Sequence, residues 1–243
     1  MANRLVADGI EAGYGAVRVL HGLSIRVEQG EGVVLLGSNG NGKSTLIKCI
    51  MGIVRPTAGT ISLERDGERI DLVGRSPQQV VELGIALVPE GRRLFPTLTV
   101  EENLILGAYR RGARAKLASN LEFVYEVFPA LRQRRAQSAG SMSGGEQQMV
   151  AVARALMSEP HMLLVDEPSV GLSPLLVHHV ISKIKELKEL RSLTVLMAEQ
   201  NFNQAIRMAD RGYIIVHGQI EFEGENALAL QNNDMIKQYY LGI

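Results

Sequence analysis

The 243-residue sequence lacks a second cysteine, an excess of charge of either sign, and any long apolar run. Its single cysteine, Cys49, cannot form an internal disulfide bond, which favours a reducing compartment such as the cytoplasm. Lys plus Arg and Asp plus Glu both total 26, so the net charge is zero and no overall basic field attracts nucleic acid or an anionic membrane. Any binding site for an anion must therefore be local.

Apolar runs such as residues 50–54 and 85–89 are far shorter than the ~20 residues that a membrane-spanning helix needs. The first residues also lack the apolar core of a signal peptide. With 46% hydrophobic and 21% charged residues, the composition suits a folded globular protein. If this chain serves a membrane, we expect other chains to span it.

Strand patterns dominate the first third of the chain. Strands are expected on either side of two turns, Gln29-Gly30-Glu31 and Asp66-Gly67. Two helices interrupt them, one from Ser44 to about Met51 and one from Ser76 to Gly84.

Helical patterns dominate residues 97–158, which begin with a capping box at Thr99 and Glu102 and include one expected helix over residues 114–128. Strands return at residues 162–165, 193–197 and 212–216, separated by helices that start near Pro174 and Asn201. This alternation predicts an α/β fold with a largely parallel sheet and right-handed crossovers.

A glycine-rich loop separates a predicted strand, residues 33–36, from a predicted helix. It matches G-x-x-x-x-G-K-[ST] and comprises Gly37, Ser38, Asn39, Gly40, Asn41, Gly42, Lys43, Ser44 and Thr45. The glycines let backbone N–H groups turn towards phosphate oxygens at the positive end of the helix. We expect Lys43 to reach the β- and γ-phosphates of ATP and the Ser44 hydroxyl to bind Mg²⁺. The alternative, a chance glycine-rich turn, is disfavoured by the flanking strand and helix.

Two adjacent carboxylates, Asp166 and Glu167, end the apolar strand that starts near Met162. Such a pair is costly at the end of a buried strand unless a cation or a proton-transfer role compensates it. We expect Asp166 to bind Mg²⁺ and Glu167 to act as the general base that activates water for attack on the γ-phosphate. Taken alone, the pair is also compatible with a strand followed by a polar loop.

A third motif starts a helix at residues 143–146. Ser143 and Glu146 form a Ser-x-x-Glu capping box, which is sufficient for a structural role. Capping does not explain Gly144 and Gly145, because each glycine costs helix stability relative to alanine. Backbone donors without side chains over them are consistent with a closely bound phosphate.

These three motifs, in this order and spacing, resemble the ATP-binding subunit of ATP-binding-cassette (ABC) transporters over nearly the whole chain. Residues 88–104, the segment Ala198-Glu199-Gln200-Asn201 and the ending Tyr240-Leu241-Gly242 are more narrowly similar to the LivF-type subunit of branched-chain amino acid importers. The resemblance implies one P-loop NTPase domain with a RecA-like core and an antiparallel β subdomain, about residues 1–96 and 159–243. Residues 97–158 would form an inserted α-helical subdomain.

The resemblance also implies further site residues. Tyr14 would stack on adenine, although a tyrosine at a strand end in the core is the alternative. Glu90 stands where many members carry a Mg²⁺-binding glutamine, and Gln200 where many carry a catalytic histidine that contacts the γ-phosphate. Ser173 replaces the usual aspartate of the D-loop and, with Pro174, is expected to cap a helix.

The same resemblance implies an ATP-hydrolysing motor on the cytoplasmic face of the inner membrane, with leucine, isoleucine and valine as cargo. Its partners would be a second ABC ATPase, identical or related, two transmembrane permease subunits and an extracytoplasmic substrate-binding protein, but no nucleic acid. Ser143, Gly144, Gly145 and Glu146 would contact ATP bound to the second ATPase, and Arg92 and Arg93 would lie near the permease. The alternatives are a motor for urea, amides or other amino acids, a non-transport ABC ATPase, and a nucleotide-binding regulator without turnover.

Overall fold

The computed structural model describes residues 4–65 and 67–232, so Asp66 and the ending Tyr240-Leu241-Gly242 lie outside the described residues. The strands are β1 (Arg4–Tyr14), β2 (Val17–Val27), β3 (Gly32–Leu36), β4 (Ala58–Arg65), β5 (Glu68–Asp71), β6 (Ile85–Val88), β7 (Met162–Asp166), β8 (Thr194–Glu199), β9 (Arg211–Val216) and β10 (Gln219–Gly224). The helices are α1 (Lys43–Ile50), α2 (Pro77–Glu82), α3 (Val100–Gly107), α4 (Arg111–Ala115), α5 (Leu117–Val127), α6 (Pro129–Gln133), α7 (Gly144–Leu156), α8 (Pro174–Arg191), α9 (Phe202–Ala205) and α10 (Ala227–Asn232).

The strands form two sheets. The first is antiparallel with the order β2-β1-β4-β5. The second has the order β10-β9-β3-β8-β7-β6 and is parallel except where β10 pairs with β9. The predicted α/β fold, with a mainly parallel sheet and an antiparallel N-terminal sheet, is confirmed.

The central strands of the second sheet have no exposed face. Every residue of β3, β7 and β8 is buried, as expected of parallel strands covered on both sides. Leu36 is in register with Glu199, and Asp166 is in register with Ala198. The carboxyl ends of the three strands therefore lie at one edge of the sheet, which is where α/β folds bind ligands.

Helix starts agree well with the sequence signals. Complete capping boxes precede α2 at Ser76, α3 at Thr99 and α7 at Ser143. Cys49 lies buried in α1, as expected for a small core residue. Among the described residues, no helix combines the length and apolar character needed to cross a membrane.

One local prediction was wrong. The single helix expected over residues 114–128 is two helices, because the Lys116 N–H closes a tight turn on Ala113 O at 3.1 Å and the Asn120 amide bonds the same carbonyl. The strands expected on either side of Gln29-Gly30-Glu31 are present as β2 and β3, but they lie in different sheets and do not pair with each other. Strand β1, which the sequence pattern did not reveal, pairs with β2, and the chain passes at this turn from one sheet to the other.

Candidate functional site

The glycine-rich loop leaves β3 and enters α1 without a side-chain cap. Gly40 and Gly42 have φ angles of 84° and 99°, in the left-handed region that favours glycine. A Cβ atom on Gly37 would lie 2.7 Å from Ile215 Cγ2. The N-cap residue of α1 is Gly42, which has no side chain to accept from the first N–H groups of the helix, so these donors are suited to an anion.

Lys43 is buried inside this loop. Its Nζ donates to Gly37 O at 2.7 Å and to Ser38 O at 3.1 Å, and it lies 3.0 Å from Glu167 Oε1. The ammonium group thus links the loop to the carboxylate that follows β7. The structure brings together the lysine and the glutamate that the sequence singled out separately.

Asp166 lies opposite the start of α1. The Ser44 hydroxyl donates to Asp166 Oδ1 at 2.8 Å. Burial, together with the negative charges of Glu167 and Glu90, raises the pKa of Asp166 to about 6, although the Ser44 bond opposes the shift. Ser44 and Asp166 therefore form an oxygen-rich pair in which a divalent cation would relieve the cost of burying the carboxylate.

Glu167 has an unusual backbone. Its φ angle of 45° places a non-glycine residue in the left-handed region, and its side chain is 8% exposed. Such outliers concentrate at functional sites, where the surrounding structure enforces them. The Glu167 N–H donates to Ala198 O at 2.9 Å, which ties this conformation to the end of β8.

Tyr14 ends β1 beside the glycine-rich loop. Its side chain is 48% exposed, so the alternative of a core tyrosine is wrong. The hydroxyl lies 3.5 Å from Thr45 Oγ1, and the Lys48 ammonium lies 5.8 Å from the ring centroid. The ring is thus positioned next to α1 with surface free for stacking.

The remaining loop residues are exposed. Glu90 follows β6, and its charge reaches Asp166, since it contributes to the raised pKa of that carboxyl group. Gln200 follows β8 with an exposed side chain. Ser173 occupies the N-cap position of α8, but the expectation that its side chain caps the helix was wrong: no amide of the first turn donates to the hydroxyl, and Pro174 has no N–H to offer.

The segment Ser143–Glu146 forms its predicted capping box, in which the Ser143 N–H donates to Glu146 Oε2 at 2.9 Å and the Glu146 N–H donates to Ser143 Oγ at 3.4 Å. Packing also constrains the glycines. A Cβ atom on Gly145 would lie 2.7 Å from Leu176 Cδ2, and one on Gly144 would lie 3.1 Å from Arg92 Nη2. Sequence reasoning missed this requirement because it depends on a contact with α8.

Two further features escaped the sequence analysis. Arg92 and Arg93 have φ angles of 66° and 48°, and the Arg154 guanidinium donates to both of their carbonyl groups, at 3.0 and 2.8 Å. Glu199 is 0% exposed, and its carboxylate accepts backbone N–H groups from two loops. The one sequence signal for Glu199 was its position in the segment Ala198-Glu199-Gln200-Asn201, next to the predicted site residue Gln200.

A phosphate-binding loop, a serine–aspartate pair and a buried glutamate at the carboxyl edge of the sheet define a P-loop nucleotide-binding protein. The profile of the family described as ABC transporter matches residues 20–170, and the chain belongs to this family.

Two curated relatives are similar over nearly the whole chain. One is the high-affinity branched-chain amino acid transport ATP-binding protein BraG of Pseudomonas aeruginosa, 43% identical, with 97% of this chain and 98% of the relative covered. The other is the probable branched-chain amino acid transport ATP-binding protein LivF of Archaeoglobus fulgidus, 33% identical, with 96% and 97% covered.

Solved structures agree with this assignment. An ATP-binding cassette of an ABC transporter in its ADP conformation has a TM-score of 0.81 at 27% identity, covering 99% of both chains. A dimeric bacterial ABC transporter cassette has a TM-score of 0.77 at 25% identity, covering 91% of this chain and 99% of that chain.

Proposed function

We propose that this chain is the ATP-hydrolysing motor subunit of an importer for branched-chain amino acids. The observation that carries the ATPase activity is the convergence of Lys43, Ser44, Asp166 and Glu167 at one edge of the sheet, with Lys43 Nζ 3.0 Å from Glu167 Oε1 and Ser44 Oγ 2.8 Å from Asp166 Oδ1. The similarity to BraG and LivF, both described as branched-chain amino acid transport proteins, supports the cargo. Each role expected for the triphosphate, the cation and the attacking water has a side chain within this group.

Lys43 connects nucleotide binding to the state of the base. Its ammonium group bonds the loop carbonyls of Gly37 and Ser38 and neutralises Glu167. Phosphate oxygens would compete for the same ammonium protons, which would release the Glu167 carboxylate to orient and deprotonate water. Gln200, exposed after β8, can donate a hydrogen bond to the γ-phosphate but carries no charge.

Ser44 and Asp166 would hold Mg²⁺, with Glu90 as a further oxygen ligand. Hard cations of this kind prefer carboxylate and hydroxyl oxygens and share their shell with phosphates. When bound, the cation neutralises charge that develops on the phosphate oxygens. Tyr14 would stack on the adenine ring beside α1.

We further propose that two cassettes share each ATP. The Ser143–Glu146 segment of one chain would contact the γ-phosphate held by the glycine-rich loop of the other, in a head-to-tail dimer, and Ser173 would lie in the D-loop between them. The dimeric cassette among the structural neighbours supports this arrangement. The second cassette would be another copy of this chain or a related ABC ATPase.

A groove lies beside the helical segment. A cavity of about 520 Å³ is lined by residues that include Val81, Arg93, Phe95, Leu106 and Tyr109. Phe95 and Tyr109 are 52% and 57% exposed. We propose that residues 97–158 act as one helical subdomain, on a core of residues 1–96 and 159–243, and that a permease subunit contacts this groove.

The groove and the nucleotide site share one short connection. This connection is the segment 90–95, which joins Glu90 at the nucleotide site to Phe95 in the groove. Within it, the Arg154 guanidinium donates to the carbonyl groups of Arg92 and Arg93. A displacement at the groove would therefore reach Glu90 through a backbone segment that α7 restrains. In the proposed assembly, the chain would work at the cytoplasmic face of the inner membrane with two permeases and an extracytoplasmic binding protein.

The ATPase step is tested with Glu167→Gln. We expect the wild-type chain to hydrolyse MgATP and the variant to retain ATP binding with at least ~100-fold lower turnover, because glutamine is not a base. Glu126→Gln, on the exposed face of α5, is the matched control and should hydrolyse at the wild-type rate. Equal turnover in wild type and Glu167→Gln would refute the proposed role.

The cargo is tested in cells. Deletion of the gene should abolish uptake of labelled leucine, isoleucine and valine and leave urea uptake intact, and plasmid-borne wild type, but not Glu167→Gln, should restore it. Lost urea uptake with unchanged branched-chain uptake would overturn the cargo assignment. It would leave the ATPase proposal standing.

A further inference from the structure

Glu199 is a fully buried carboxylate with no role in the steps above. It ends β8, and its side chain is 0% exposed. Oε1 accepts the Ser169 N–H at 3.2 Å, and Oε2 accepts the Gln200 and Asn201 N–H groups at 2.6 and 3.1 Å. Within residues 4–65 and 67–232, no lysine or arginine forms an ion pair with it. The three backbone bonds therefore provide the hydrogen-bond partners that this buried carboxyl group needs.

The bonds to Glu199 join two loops at the nucleotide site. One loop carries Glu167, and the other carries Gln200. The backbone carbonyl of Glu199 also accepts the Gly37 N–H, at 3.4 Å, where the glycine-rich loop begins. A single residue thus contacts the three loops that surround the expected γ-phosphate.

The segment Glu167-Pro168-Ser169 is held at both ends by β8. The Glu167 N–H donates to Ala198 O, and the Ser169 N–H donates to Glu199 Oε1. Pro168 has no N–H and a restricted φ angle. These restraints stabilise the left-handed conformation of Glu167, whose φ angle is 45°.

We propose that Glu199 is a positioning residue for ATP hydrolysis, which fixes the Glu167 loop relative to the Gln200 loop through its two carboxylate oxygens. The inference rests on the proposed function, because it assumes that Glu167 and Gln200 act on the γ-phosphate. Reactions of this kind are sensitive to small misplacements of the catalytic group, and about 1 Å can cost on the order of 100-fold in rate.

A carboxylate is the side chain that this position requires. Its two oxygens are both acceptors, one for each loop. Glutamine keeps one acceptor and replaces the other with an NH₂ group, which would face a backbone N–H and break one of the two connections. Aspartate keeps both acceptors but is shorter by one methylene group, so it should retain part of the restraint.

The test compares steady-state ATPase kinetics of wild type, Glu199→Gln and Glu199→Asp, with Glu189→Gln, an exposed glutamate of α8, as the matched control. We expect Glu199→Gln to lower kcat at least ~10-fold with KM for ATP changed less than ~3-fold, and Glu199→Asp to lie between it and wild type. Hydrogen exchange should rise in Glu199→Gln within residues 167–172 and 200–203, with protection of the β3 and β7 cores retained. In the wild type, the Ser169, Gln200 and Asn201 amides should exchange slowly, a measurement that stands even if neither variant folds.

A wild-type kcat in Glu199→Gln, or equal loss of kcat and ATP affinity with general loss of protection, would overturn the inference. So would rapid exchange of the three amides in the wild type. Wild-type turnover and its loss in Glu167→Gln are measured in the same assay. Failure of the positioning role of Glu199 can therefore be distinguished from failure of the proposed ATPase function. If that loss is found and Glu199→Gln is fully active, only the positioning role fails, whereas a wild-type chain without turnover, both alone and in the purified assembly with its partner cassette, would refute both.

Discussion

At the residue scale, the site buries two adjacent carboxyl groups, of which only one is paired with a lysine. Asp166 and Glu167 are adjacent and 4% and 8% exposed, and one lysine, Lys43, lies against Glu167. The Ser44 hydroxyl is the hydrogen-bond partner of Asp166. Burial without a paired cation disfavours the charged form of a carboxyl group, which is why the pKa of Asp166 is raised to about 6.

This shift predicts a pH-dependent effect of Asp166→Asn. The unfolded chain releases the Asp166 proton near pH ~3.9 and the folded chain near pH 6, so charging the carboxyl group costs stability as the pH rises through this window. Asparagine keeps an acceptor for Ser44 and never charges. In EDTA, Asp166→Asn should exceed wild type in free energy of unfolding by roughly 1–3 kcal/mol at pH 7.5.

The gain should disappear towards pH 4, because the carboxyl group is then neutral in the folded protein and half neutral in the unfolded chain. Urea unfolding of both proteins at the two pH values measures the difference. A variant that is less stable than wild type at pH 7.5, or a difference that does not change with pH, would contradict the account of Asp166.

At the element scale, α7 is fixed by features at both ends. It begins with the capping box and two glycines, and Arg154 near its end holds the carbonyl groups of Arg92 and Arg93. Gly145 is buried against Leu176 of α8. The glycines therefore serve helix packing within this chain, in addition to any role towards a phosphate.

A double-mutant cycle tests this packing. Gly145→Ala should lower the free energy of unfolding by roughly 1–3 kcal/mol, since its Cβ would lie 2.7 Å from Leu176 Cδ2. In a Leu176→Ala background the same change should cost nothing or stabilise, because alanine favours the helix by ~1 kcal/mol over glycine. Gly112→Ala in α4, where nothing lies within 4 Å, is the matched control and should stabilise.

Additive effects of Gly145→Ala and Leu176→Ala would show that the two residues do not interact in this way. Thermal or urea unfolding of the four proteins is sufficient. The cycle also guides later experiments, because a substitution at Gly145 that disturbs packing cannot report cleanly on phosphate contact.

Sequence patterns predicted those elements whose signals are local. The glycine-rich loop, the capping boxes and the strand ending in Asp166 and Glu167 need no distant partner to be recognised. Strand β1 was missed because its inward residues, Leu5 and Ala7, then Ile10 and Ala12, change phase where the register with β2 shifts. A bulge there, with Gly9 at a φ angle of 60°, breaks the period of two that marks a strand.

The part of the site that depends on tertiary contacts was not predictable. Side-chain chemistry indicated Lys43, Ser44, Asp166 and Glu167, and parallel strands bring their ends to one edge. The contact of Gly145 with Leu176 and the bonds from Glu199 to Ser169 join elements distant in sequence. No periodicity or spacing records such contacts.

At the scale of the whole molecule, the proposed motor is incomplete as one chain. Ser143 is exposed at the start of α7, where its hydroxyl donates to Glu146, and the chain's own glycine-rich loop is the proposed site for its own ATP. In a shared site, the Ser143–Glu146 segment would contact ATP bound to the partner chain. Closing and opening of the dimer would then follow ATP binding and hydrolysis and could move attached permeases.

Mixing two inactive variants tests the shared site most directly. Lys43→Met removes the amine proposed to bind phosphate, and Gly144→Asp places a carboxylate in the Ser143–Glu146 segment. The new Cβ atom meets mainly the movable ends of Arg92 and Leu172, at 3.1 and 3.3 Å. In a head-to-tail dimer, each mixed pair contains one site with both defects and one intact site.

The measurement is MgATP turnover of each variant alone and of their equimolar mixture, beside wild type. The account predicts that neither variant turns over alone and that the mixture recovers up to roughly a quarter of wild-type activity, because half of randomly formed dimers are mixed and each holds one intact site of two. An active wild type with a mixture as inactive as its components would contradict a site shared between two chains.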